Sequence, residues 1–243
     1  SQAAYTEGLS YARDRKQFGK AILEFPAVYD MLALMKARLD AGRALLYQTS
    51  RYVDIYKALD DIARDRKLTP EERQESKTFS RLADSFTPLA KGMNSEYANQ
   101  NAYDCIQIHG GSGYMLEYAC QRIYRDARIT SIYEGTTQLQ VVAAIRYVTN
   151  GFYLQTLRDF EAVECSEEMK PLKARIAAMT DKFDKAVTYV KETENQEFVD
   201  FCARHLVEMA ADCVMAHLLV QDATRAPELF AKSARVYVNY VEA

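Results

Sequence analysis

In the stretch SIYEGTTQLQ, residues 131–140, a single carboxylate, Glu134, stands between a tyrosine and a glycine. A glutamate ahead of Gly135 and Thr136 sits where a new helix can begin, and the unpaired N–H groups of a helix N-terminus favour negative charge. On the residues alone, the plainer account is that Glu134 complements that dipole, or that Thr136 is an N-cap. A second candidate is His109, beside the turn Gly110-Gly111-Ser112-Gly113. Such a turn either lets a ligand approach the backbone closely or makes a tight corner, and the corner is favoured. His109 has no evident partner for a catalytic triad. Cys202, His205 and Glu208 recur three apart and share a helix face, but no second ligand pair has convincing spacing. They read as packing, with no metal, and His217 reads the same way.

These groups must be positioned by helices, because strand signals are nearly absent and helical periodicity is everywhere. The opening residues, SQAAYTEGLSYARDRKQFGK, look helical. Val28, Met31, Leu32, Met35 and Leu39 mark one face of a helix that begins after Pro26. Thr69-Pro70-Glu71-Glu72 is a helix start, with a capping threonine, a first-turn proline and a glutamate that can complete a capping box. Pro88 lacks the N–H that the following helix needs, so a kink or interruption is expected there. Between Tyr103 and Thr136 the elements shorten; after Thr136 a long helix runs to about Asn150. Three amphipathic stretches follow: Leu172, Ile176, Met179, Phe183, Val187 and Val190; then Phe198, Cys202, His205, Met209, Cys213, Ala216 and Val220; then Leu229, Phe230, Tyr237 and Tyr240. The fold class is all-α: a helix bundle over 1–150, then a further helical unit over 151–243, with Asn150-Gly151 or Cys165-Ser166 as the joint.

The 243 residues are 49% hydrophobic with nine glycines, which suits a sizeable core and excludes collagen-like or disordered readings. A net charge of −3 gives no basic footprint for nucleic acid. Five scattered cysteines form no CxxC pair and suit a reducing, cytoplasmic setting with free thiols. No apolar run approaches the length of a membrane span. The charged runs at 64–67 and 70–75 read as solvated helix faces.

Four motifs in order, YARDRKQFGK (11–20), QIHGGSGY (107–114), YRDARI (124–129) and IYEGTTQLQ (132–140), resemble the C-terminal helical domain of the acyl-CoA dehydrogenase family. The resemblance covers about residues 1–150 and implies a four-helix-bundle-like domain. It places the catalytic base on Glu134, whose backbone N–H would be one donor to a thioester carbonyl. It implies FAD as cofactor. Arg15, Gln17 and Phe18 match a stretch that reaches the FAD of a neighbouring subunit; Gln107, Gly110 and Gly111 match a second FAD-contacting stretch; Thr136 and Gln138 match a flavin-contacting pair. Gly135 is expected to touch substrate and Arg146 to lie near its CoA end. The implied partners are an acyl-CoA substrate, an electron-transfer flavoprotein and further copies of the chain, as a homodimer or homotetramer, with neither nucleic acid nor a membrane span.

Three departures qualify the match. The chain starts partway into the first helix of the domain, without the family's N-terminal and β-domains, so it is expected to be inactive alone. The separation of Arg15 from Gln107 is longer than in compact members, with the surplus around Arg51–Asn99. Residues 151–243 continue where compact members end, as in an extended bacterial branch, and suit packing or oligomerisation. The alternatives are an acyl-CoA oxidase, or a non-enzymatic DNA-binding or assembly relative.

Overall fold

The computed structural model describes residues 1–242. Helix α1 (Gln2–Asp14) buries Ala4, Gly8 and Ala12, and it ends earlier than the opening periodicity suggests. Two short strands follow, β1 (Lys16–Gln17) and β2 (Lys20–Ala21), paired antiparallel. Phe18 and Gly19 form the turn between them with φ of 50° and 83°. Positive φ at both central residues is the type I′ hairpin pattern, which glycine meets freely and phenylalanine only with strain.

Two 40-residue helices, α2 (Pro26–Asp65) and α3 (Pro70–His109), form the spine. Pro26 is itself the first residue of α2, and Leu32, Met35 and Leu39 of the expected face are buried. The capping box forms as the sequence dictates: Glu72 N–H donates to Thr69 Oγ1 at 3.2 Å, and Thr69 N–H donates to Glu72 Oε2 at 2.9 Å. Pro88 does not interrupt α3, contrary to expectation. It is buried, and the carbonyls of Leu82, Ala83 and Ser85 in the preceding turn take hydroxyl donors from Ser85, Thr87 and Tyr153. Packing thus holds the turn that proline weakens. The helix also runs through Tyr103 to His109, so the change to short elements begins later than the sequence suggests.

Beyond a 3-10 turn (Gly110–Tyr114) come α4 (Ala119–Thr130), α5 (Thr137–Thr149), α6 (Phe152–Ala162), α7 (Lys170–Glu192), α8 (Gln196–Arg225) and α9 (Pro227–Glu242). Helix α6 is not among the three amphipathic stretches; it buries Tyr153, Thr156 and Leu157. All six residues of the α7 stripe are buried. In α8 the expected stripe is buried at Cys213, Ala216 and Val220 and partly buried at Phe198, Cys202 and Met209, but His205 is exposed; the buried face also takes in Ala203, Leu206, Val207, Ala210 and Val214. In α9, Tyr237 is buried but Leu229 is 63% exposed, because Ser233, Ala234 and Val238 complete the inner face. Small residues let helices approach closely, and a search for large apolar residues overlooks them.

Two cores result. The small one joins Ala4, Ala12, Ile22, Leu32, Met35, Ala102, Cys105, Ile108 and Cys120, fixing α1 and the hairpin against the C-terminal end of α3. The large one extends from Ala37 of α2 to Val238 of α9 and continues across the Asn150-Gly151 joint. Polar ties reinforce it. Tyr97 and Tyr237 hydroxyls, 2.8 Å apart, both reach Asp212 Oδ1, and Ser233 donates to Asp40. Among the described residues no helix is long and apolar enough to cross a membrane.

Candidate functional site

The hairpin, the end of α3 and the glycine turn enclose a cleft of about 600 Å³. Arg15, Gln17, Phe18, Gln107, Gly110 and Gly111 all line it. The small core explains the gathering, since it locks α1 and α3 together just behind these residues. Ile22 N–H donates to Arg15 C=O at 2.8 Å, which folds the hairpin back over the cleft. Phe18 is 94% exposed at the rim, its ring edge-on to Phe25. At Gly110 and Gly111 an added Cβ would meet nothing within 4 Å, so these two face open space. At Gly113 a Cβ would meet Ile106 C=O at 2.6 Å. The turn is therefore a tight corner at Gly113 and an open backbone surface at Gly110-Gly111.

Tyr11 stacks on His109 with ring centroids 4.1 Å apart, and Tyr118 meets both rings edge-on. His109 Nδ1 lies 2.7 Å from Cys105 C=O, and its buried Nε2 has no hydrogen-bond partner. Sequence reasoning did not include Tyr11 among the cleft residues, though it stands in the same motif as Arg15. The donor set fits a dinucleotide: one guanidinium for a pyrophosphate, two amides, an open glycine backbone, and an apolar floor of Ile22, Phe25, Val28 and Met31.

Glu134 is not in that cleft. Its loop, with Gly135 and Thr136, and the first turn of α5, with Gln138, are anchored farther back along α3. Lys91 Nζ donates to Gly135 C=O at 2.5 Å, and Thr137 Oγ1 donates to Glu96 Oε1 at 2.6 Å. Lys91 and Gln107 are sixteen residues apart on one helix, which is about 24 Å along its axis. The carboxylate of Glu134 is exposed and has no hydrogen bond or ion pair among the described residues. Its backbone is in the left-handed region at φ 52°, followed by Gly135 at φ 93°. Phe18, Glu134 and Glu194 are the non-glycine residues with positive φ among those described, so two of the three are candidate site residues. Strain of this kind persists where surrounding structure imposes it, and it concentrates at functional sites.

Thr136 is the N-cap of α5, its hydroxyl accepting from Leu139 N–H at 3.4 Å and still free to donate. Gln138 is exposed. Arg146, at the far end of α5, lies across the Tyr147 ring with its guanidinium on the Tyr147 hydroxyl at 2.8 Å. It borders a separate hollow with Lys191 and Asn195. Lys91, Glu96 and Gln140, which hold the Glu134 loop, were not singled out from sequence; Gln140 alone had a signal, its place in the motif.

Among the described residues no group of three or more His, Cys, Asp or Glu side chains is placed to hold a metal. All five cysteines are free, and burial pushes the Cys105 and Cys213 thiols up to about 12, which keeps them unreactive. His217 is buried against Phe160, and loss of solvent lowers its pKa to about 4.

Residues 1–147 match the family model for the acyl-CoA dehydrogenase C-terminal domain, and residues 149–243 match a second model described as acyl-CoA dehydrogenase C terminal. The chain belongs to the acyl-CoA dehydrogenase family. A subunit of the caffeyl-CoA reductase-Etf complex of Acetobacterium woodii is 35% identical over 140 residues, covering 58% of this chain and 31% of that protein. A 3-(aryl)acrylate reductase of Clostridium sporogenes is 34% identical over 140 residues, with the same shares. The 3-methylmercaptopropionyl-CoA dehydrogenase of Ruegeria pomeroyi is 39% identical over 150 residues, 58% of this chain and 23% of that protein. The chain thus spans about a third or less of the length of these curated relatives. Among solved structures, an acyl-CoA dehydrogenase from Bacillus anthracis complexed with FAD has a TM-score of 0.74 at 21% identity, covering 99% of this chain and 44% of that one. An acyl-coA oxidase from Yarrowia lipolytica reaches 0.73 at 15% identity, covering 99% and 40%. At such identities the likeness shows the fold alone, and dehydrogenase and oxidase share it.

Proposed function

We propose that this chain is the C-terminal helical part of an FAD-dependent acyl-CoA dehydrogenase that introduces a trans α,β double bond into an acyl-CoA thioester. The observation that carries the reading is Glu134: a carboxylate held on strained left-handed backbone, with its side chain left unbonded by the fold. Glu134 takes the α-proton and becomes a neutral carboxylic acid. Its basicity rises when an acyl chain covers it, because desolvation disfavours the charged form. The N–H groups of Glu134, Gly135 and Thr136 have no backbone acceptor, and the first of them suits the thioester oxygen on which charge develops. Gly135 borders the substrate, and Arg146 offers a cation to its CoA end.

FAD, when bound, supplies the acceptor for the β-hydrogen as hydride, which no side chain can do. Thr136 and Gln138 would hold its flavin end. Arg15, Gln17, Phe18, Gln107, Gly110 and Gly111 would hold the FAD of a neighbouring subunit. The separation of about 24 Å along α3 supports this division, and with it a homodimer or homotetramer. Residues 1–150 carry these groups, and 151–243 serve packing. Because Glu134 is exposed here, turnover requires further protein to cover it, and the chain alone is expected to be inactive. The Acetobacterium woodii relative is named for a complex with Etf, which supports an electron-transfer flavoprotein as acceptor. Two relatives are named reductases, and the reverse reaction uses the same proton on Glu134.

The test is anaerobic mixing of the FAD-loaded full-length protein with acyl-CoA thioesters. Bleaching of the oxidised flavin with formation of enoyl-CoA is expected; no bleaching with thioesters of any chain length would overturn the reading. Slow reoxidation of the reduced protein in air separates the dehydrogenase from an oxidase.

A further inference from the structure

We infer that Lys91 is the positioning residue that sets the aim of Glu134, with Gln140 as its second support. The inference rests on Glu134 being the base.

Two consecutive residues of positive φ, Glu134 and Gly135, do not hold their conformation unaided. What holds them comes largely from α3. The Lys91 ammonium donates to Gly135 C=O and lies 6.0 Å from the centroid of the Tyr133 ring, so one cation engages the residues on both sides of Glu134. Gln140 Nε2 reaches the same carbonyl at 3.3 Å and that of Glu134 at 3.5 Å. Thr137 N–H donates to Ser131 C=O at 3.1 Å, closing the base of the loop. Gly92, next to Lys91, lies against the Gln140 side chain. Gly135 is favoured by its φ of 93°, which a residue with a Cβ adopts only with strain.

None of these contacts reaches the Glu134 carboxylate. Lys91 directs the Cα–Cβ bond through the Gly135 carbonyl on one side and the Tyr133 ring on the other, and leaves the acid free to accept a proton. A bond from an ammonium to a carbonyl is charge-assisted, and Lys91 is only partly exposed, so water competes with it weakly. Misplacing a reacting group by an ångström costs on the order of 100-fold in rate.

The experiment compares Lys91→Met, Lys91→Arg and Glu134→Gln in the FAD-loaded full-length protein. Lys91→Met is expected to lower the rate of flavin bleaching at saturating acyl-CoA by about 10- to 100-fold with KM changed less than about twofold. Lys91→Arg, which keeps the cation and its donors, is expected to recover most of the rate. Hydrogen exchange at the Tyr133 and Thr137 amides, read with and without FAD, should quicken in Lys91→Met and return toward wild type in Lys91→Arg. Unchanged bleaching and exchange in Lys91→Met would overturn the inference. So would equal losses in both Lys91 variants with a lowered melting temperature, which is general destabilisation. Wild-type bleaching in Glu134→Gln would remove the base instead, and the exchange result would still decide whether Lys91 holds the loop.

Discussion

Two glutamates near helix starts have opposite fates. Glu72 sits in the first turn of α3, accepts Thr69 N–H and takes both nitrogens of the Arg66 fork at 2.6 and 2.7 Å. The Arg66 fork, with the Thr69 N–H, holds its carboxyl down at about 2. Glu134 precedes α5, where the capping is done by Thr136, and its carboxylate has no partner. The dipole-and-cap account describes Glu72 fully; beside Glu134 its cap is present, on Thr136, but Glu134 itself makes none of the bonds of a capping glutamate. A carboxylate consumed by the fold is poorly suited to carry protons; one that the fold supports through the backbone but leaves unbonded is well suited. Asp212 shows a third fate, in which burial raises its pKa to about 7 although the Tyr97 and Tyr237 hydroxyls favour its charge.

The largest stability effects are expected at the buried groups. The folded pKa of Asp212 lies above the ordinary 3.8, so its contribution is fully present below about pH 4 and is lost as pH rises through 7. Asp212→Asn should therefore be more stable than wild type at pH 8, on the order of 4 kcal/mol, with no gain at pH 4. His217 has the opposite sign: its folded pKa of about 4 lies below the ordinary 6.5, so stability is lost as pH falls from 6.5 to 4. Urea unfolding of His217→Leu against pH should lack that fall, on the order of 3 kcal/mol. In wild type the two slopes oppose each other between pH 4 and 6.5, and each single variant should uncover the other.

Next comes Gly135→Ala, expected to cost about 1–3 kcal/mol, because φ is 93° and any L side chain there is strained. Its melting curve should fall while that of Gly111→Ala, in open space, should not. Smallest is the cap: Thr69→Ala should cost about 1 kcal/mol in urea unfolding and leave flavin bleaching untouched. Equal stability of Thr69→Ala and wild type would break the contrast, because the Glu72 box would then contribute nothing.

Much of this architecture was legible in the sequence. The cap at Thr69, the start at Pro26, the helix after Thr136 and the whole inner face of α7 follow from local chemistry and period. The α8 and α9 faces followed only in part: Cys213, Ala216, Val220 and Tyr237 are buried as expected, but Ala203, Ala210 and Ala234 bury as completely as larger residues while carrying little signal. Pro88 misled because Tyr153, remote in sequence, supports the turn before it. Motifs read together singled out Arg15 and Gln107 as parts of two FAD-contacting stretches, but nothing local could show that the two share one cleft, or that Lys91 reaches Gly135, forty-four residues away. The left-handed backbone at Phe18 and Glu134 was equally hidden, as neither residue type favours it.

The central claim is that Glu134 is the acid-base group and Glu72 only a structural one. Anaerobic flavin bleaching by acyl-CoA, with melting temperature recorded alongside, should be measured for Glu134→Gln and Glu72→Gln in the FAD-loaded full-length protein. The account predicts that Glu134→Gln loses bleaching by about 100- to 10,000-fold with its melting temperature kept, while Glu72→Gln bleaches normally and melts earlier. Normal bleaching in Glu134→Gln would contradict it.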